Sequence, residues 1–128
     1  MSVIKPIGLR GAWPALVALA SVVLSAGAHA HAFLDHAVPA VGSIVHGSPG
    51  EVKSWFTQEL EPAFSSLRVV DQKGAQVDRR NNSVDPNDRT LIKVSLPNLP
   101  PGKYTVFWHA LSVDTHTTEG SFTFEVVQ

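Results

Sequence analysis

The chain has 128 residues, 44% of them hydrophobic, with ten Lys/Arg against eleven Asp/Glu and a formal net charge of −1. That length suits one domain of about 100–150 residues, and the lack of a basic excess argues against a nucleic-acid surface. With no cysteine, and with Met1 as the only methionine, disulfides, thiolate ligands and mature thioether ligands are all excluded.

Residues 1–30 have the layout of a Sec-type signal peptide. Lys5 and Arg10 give a positive start, Ala12 to Ala26 form an apolar run, and small residues follow at Ala26, Ala28 and Ala30. The run is shorter than the roughly 18 residues of a membrane span. Cleavage after Ala30 leaves a periplasmic domain of residues 31–128 that begins with His31; cleavage after Ala28 would begin it at His29. The first product carries eight Lys/Arg against eleven Asp/Glu, so its net charge is near −3.

The remainder has the punctuation of an all-β protein. Segments 32–39, 51–56, 66–71, 75–79, 90–95, 103–112 and 121–127 are short and rich in β-branched and aromatic residues. Turn compositions separate them: DQKG at 71–74, NNSVDPND at 81–88, PNLPPG at 97–102 and TTEG at 117–120. ELEPAF at 59–64 has room for one helical turn. Phe122, Phe124 and Val126 alternate with polar residues, so one face of the last strand is buried. Tyr104, Val106 and Trp108 alternate with Phe107 and Leu111, which suits a central strand with two apolar faces. About seven strands at spacings of eight to twelve residues predict a single Greek-key, immunoglobulin-like β-sandwich.

Three residues stand out as candidate metal ligands. If His31 is the first residue, its α-amine and Nδ1 can chelate one ion. The amine, with an ordinary pKa of about 7.7–8.0, gives up its proton at little cost near neutrality. Asp114 and His116 form a D-x-H pair at the end of a strand or the start of a loop; in extended chain, residues i and i+2 point to one side. Nitrogen and carboxylate donors of this kind favour Cu(II). His36, His46 and His109 read instead as surface or hydrogen-bonded histidines.

The chain also resembles the CopC family of periplasmic copper-binding proteins. HAFLDHAVPAVGSIVHGSP is similar to the family's opening, VKSWFTQELEPAFSSLRVVDQKG to its second and third strands, and LPPGKYTVFWHALSVDTHTTEGSFTFEV to its closing block with S-x-D-x-H. The resemblance implies one Cu(II) per chain, held by the residues that match its ligands: His31, Asp114 and His116. It also implies a role in copper resistance or homeostasis with an inner-membrane partner of the CopD type. Some members have a Cu(I) site on a Met-rich loop; this chain lacks those methionines and resembles the Cu(II)-only branch. Gln58 stands where the family often has glutamate, and Glu59 is expected to point the other way. The expected function is a non-catalytic copper carrier. The alternative is a histidine-brace enzyme that cleaves polysaccharide oxidatively, which would require an open coordination position for oxygen.

Overall fold

Two four-stranded sheets pack face to face in a computed structural model that describes residues 31–128. The first has the order β1 (Leu34–Val38), β3 (Glu51–Phe56), β6 (Asp88–Ser95), β5 (Ser83–Asp85). The second has the order β2 (Ile44–His46), β8 (Thr117–Val127), β7 (Gly102–Leu111), β4 (Ser66–Val70). All pairings are antiparallel except β2 with β8, where Ile44 to His46 run parallel to Glu125 to Val127. This is the expected Greek-key β-sandwich. The proposed signal peptide lies outside the described residues.

The core is the shared inner face. Val52, Phe56, Ile92 and Val94 from one sheet meet Leu67, Val69, Val106, Trp108, Phe122 and Phe124 from the other. The alternation expected along β8 holds, with Phe122, Phe124 and Val126 all buried. β7 is central within its sheet, but only one of its faces is covered. Phe107 stays on the outer face, 36% exposed, beneath the Arg68 guanidinium at 4.3 Å from its ring centroid.

The strand list changes in four places. Residues 75–79 are not a sheet strand. Val77 N donates to Val69 O at 2.8 Å, but Val69 N donates to the Asp78 carboxylate, also at 2.8 Å, so a side chain replaces the ladder. Within 81–88, expected as a turn, Ser83–Asp85 pairs with β6, and Asp85 Oδ1 accepts from Asn87 N at 2.7 Å to close the bend. β2 is a three-residue edge with Ile44 61% exposed, too short to be visible beforehand. TTEG is not a turn either, because Thr117 to Gly120 pair with Leu111 to Trp108 and lengthen the β7–β8 hairpin. The helical turn expected within 59–64 is a short 3-10 helix at Pro62–Phe64.

Gly120 has a packing reason. A Cβ placed there would lie 2.4 Å from the Trp108 indole, so only glycine lets that ring lie across the neighbouring strand.

Candidate metal centre

The end of the β7–β8 hairpin carries both members of D-x-H, but not by the geometry expected from an extended chain. Ser112 to His116 form a tight turn. Thr115 N donates to Ser112 O at 2.9 Å, and Ser112 N donates to His116 O at 3.0 Å. Thr115 sits at φ 75°, a left-handed conformation that a β-branched side chain adopts only under constraint. The turn, not strand alternation, brings Asp114 Oδ1 to 3.5 Å from His116 Nδ1.

Ser112 organises this turn from inside. It is fully buried. Its hydroxyl donates to Asp114 Oδ1 and accepts from His116 N at 3.3 Å. The Ser112 hydrogen bond holds the Asp114 carboxyl below the usual carboxylate range; desolvation opposes this, and His116 adds to the lowering. Asp114 is therefore an ionised oxygen donor at neutral pH.

His31 reaches the same place from ahead of β1. Its ring meets His116 edge-on, with centroids 4.7 Å apart and planes at 87°. It also lies edge-on to Phe33 at 5.9 Å. His31 Nδ1 is a buried side-chain nitrogen with no hydrogen-bond partner, an arrangement that costs free energy unless some other group completes it.

All three sequence-derived candidates are thus brought together pairwise: His31 with His116, and His116 with Asp114. Among the described residues no group of three or more His, Asp or Glu side chains already closes around one metal position. The donor chemistry nevertheless fits a borderline cation such as Cu(II): two imidazoles, one carboxylate and, with residues 1–30 removed, an amine.

The 57–61 segment runs beside the turn. Glu59 O accepts from Val113 N at 3.1 Å, and Glu61 N donates to Leu111 O at 2.8 Å. Glu59 itself is exposed, and residues 59–61 meet the turn through their backbone.

The other described histidines are occupied elsewhere. His36 stacks on Trp55 at 4.4 Å and lies 2.7 Å from Asp35. His46 Nδ1 is 3.3 Å from Gln128 O, and His109 Nδ1 is 2.9 Å from Phe64 O.

Two hydroxyls escaped the sequence reading, Thr57 and Thr118, while Ser112 entered it only as the first residue of S-x-D-x-H, with no role assigned. The Thr57 hydroxyl donates to His31 O at 3.1 Å and accepts from Phe33 N at 3.0 Å; the Thr118 hydroxyl donates to Ala32 O. Thr57 carried no hint in sequence, and Thr118 only its position next but one to His116. Small hydroxyl residues are too common in strands for that to single them out.

Comparison with known proteins agrees with this architecture. Over 113 residues the chain is 33% identical to protein YobA of Escherichia coli K12, covering 88% of this chain and 91% of that protein. The crystal structure of CopC from Methylosinus trichosporium OB3b matches with a TM-score of 0.67 at 32% identity, covering 75% of this chain and 93% of that one. PcoC of Escherichia coli, described as a methionine-rich copper resistance protein, matches at 0.65 and 30%, covering 77% and 100%. The CopC domain family model matches residues 34–127. The chain belongs to the CopC family.

Proposed function

We propose that this protein is a non-catalytic Cu(II) carrier of the periplasm, serving copper resistance or homeostasis. It binds one ion per chain through His31, Asp114 and His116 and exchanges it with an inner-membrane partner of the CopD type. The observation that carries the proposal is the arrival of His31, with its buried and unpartnered Nδ1, edge-on to His116 at 4.7 Å. Copper resistance is the stated role of the relative PcoC. That protein is described as methionine-rich, whereas Met1 is the only methionine here, which supports a nitrogen and oxygen site for Cu(II) without a thioether site for Cu(I).

Copper is the cargo, and the chain's own groups have separable tasks. Signal-peptide removal after Ala30 would free the His31 amine beside its own Nδ1, so that backbone and side chain supply two nitrogens. His116 adds a second imidazole from a turn that does not depend on the chain end. Asp114, held ionised by Ser112, supplies negative charge beside them. A carboxylate beside the imidazoles would occupy or shield the copper, whereas an oxidative enzyme would need an open position for oxygen, and this favours the carrier over the polysaccharide-cleaving alternative.

Intact mass of the protein exported from its own cells, followed by anaerobic titration with Cu(II) and Cu(I), tests the proposal. The expected result is a chain starting at His31 that binds one Cu(II) and no Cu(I) of comparable strength. A chain starting at His29 that binds Cu(II) as tightly without His116, or an independent tight Cu(I) site, overturns it. Ascorbate-driven release of oxidised oligosaccharides from chitin or cellulose, lost with His31, would favour the enzyme.

A further inference from the structure

We infer that Thr57 and Thr118 form a two-hydroxyl clamp that positions the His31 end of the domain for its metal. The inference rests on the copper-site reading above and deepens it by naming what holds the chain-terminal ligand.

The first residues of a domain normally fray unless something ties them down. Residues 31–33 precede β1 and so have no strand ladder of their own. They are held all the same. Ala32 is fully buried in the core, with the Thr118 hydroxyl on its carbonyl. On either side of it, the Thr57 hydroxyl donates to His31 O at 3.1 Å and accepts from Phe33 N at 3.0 Å. Thr57 N then donates to Phe33 O at 2.9 Å. Three consecutive residues are thereby bound by two side chains from opposite sheets. Thr57 follows β3 directly, and Thr118 lies in β8 two residues after His116.

What the clamp leaves alone is as telling as what it binds. Its contacts use the carbonyls of His31, Ala32 and Phe33 and the amide of Phe33. None uses His31 Nδ1, and none uses the His31 nitrogen that processing would free. The donors needed for a chelate stay available while the residue carrying them is ordered. Thr118 also couples the two halves of the site, because it fastens Ala32 to the strand that begins beside His116. Ordering a ligand before the metal arrives removes an entropy cost from binding, so the clamp should appear as affinity and as a single coordination geometry.

The test uses the domain beginning at His31, with Thr57→Val, Thr118→Val, the matching Thr→Ser variants and His116→Ala. Cu(II) affinity is measured by chelator competition, coordination by electron paramagnetic resonance, and metal-free stability by thermal unfolding. Valine keeps the shape and removes the hydroxyl; serine keeps the hydroxyl. Each valine variant should weaken Cu(II) about tenfold, the scale of one or two net hydrogen bonds, and broaden the copper spectrum. Each serine variant should return to within about twofold of the parent. Unchanged affinity and spectrum in the valine variants, with His116→Ala losing copper, refutes the clamp and leaves the site standing. Failure of serine to restore binding refutes it as well, because packing rather than the hydroxyl would then be responsible. Wild-type copper binding by His116→Ala overturns the site and the clamp together. Should Thr118→Val not fold, the exposed Thr57 position decides alone.

Discussion

The β7–β8 hairpin carries two histidine–carboxylate pairs of nearly equal separation, and only one is met by a third candidate ligand. His109 and Glu119 face each other across the ladder on the outer sheet surface, 3.6 Å apart. They border a shallow hollow of about 400 Å³ together with Ser66, Arg68 and Phe107. His116 and Asp114, 3.5 Å apart, occupy the turn at the hairpin's end. The first pair is solvent-facing, and His109 Nδ1 is engaged by Phe64 O. The second is braced from below by buried Ser112 and is met by His31, 85 positions before His116 in the chain. A histidine beside a carboxylate is common; convergence of separate chain segments on that pair is what distinguishes a candidate centre.

The sharpest way to break this comparison is to delete each histidine in turn. His116→Ala should weaken Cu(II) by about a hundredfold or more, since even partners behind a metal ligand typically contribute 10–100-fold. His109→Ala should change it less than about twofold. Equal losses from both, by chelator competition, would place the metal on the outer face.

A second test asks whether the hairpin must be rigid to hold either pair. Gly120→Ala drives a methyl into the Trp108 indole, and overpacking of this kind costs about 1–3 kcal/mol. Urea unfolding of the metal-free domain should show that loss. A stability equal to the parent would mean that the indole can move aside.

Smaller again is the effect of the carboxylates. Asp114→Asn should weaken Cu(II) about tenfold, as expected for loss of one charged partner, while Glu119→Gln leaves it unchanged. If the asparagine variant binds as tightly, Asp114 serves only to hold the turn.

The least effect is expected far from both pairs. The Lys93 ammonium, 2.8 Å from Asp85, holds the Asp85 carboxyl below its ordinary value, with the Asn87 amide assisting. A depressed carboxyl contributes stability that is fully present above the unfolded value, near 3.8, and lost as pH falls through the folded one. Asp85→Asn should therefore slightly flatten the acid limb of the stability curve, less so in high salt because the pair is still partly open to solvent. Metal affinity at neutral pH should not change. An unaltered acid limb would show the pair to be thermodynamically silent.

The sequence by itself determined the sandwich, the buried face of β8 and the three candidate ligands. Those properties follow from local pattern: β-branched and aromatic runs, Gly/Pro/Asn turns, and residue types whose donor chemistry is intrinsic. Phe122, Phe124 and Val126 needed no partner to declare their face. Tertiary structure alone decided where 75–79 goes, because the Asp78 carboxylate takes the amide of Val69, nine residues away. It alone decided that Ser83–Asp85 and Ile44–His46 pair at all, since three-residue strands exist only by virtue of a neighbour. The site divides the same way. Asp114 and His116 were legible as a pair, but for the wrong reason: they meet through a strained turn around a buried serine rather than along an extended strand. Thr57 and Thr118 act on residues 26 and 86 positions away in the chain, and no spacing rule reaches that far. Local periodicity encodes which way a side chain faces. Which distant backbone its hydroxyl will find is settled only when the two sheets close on each other.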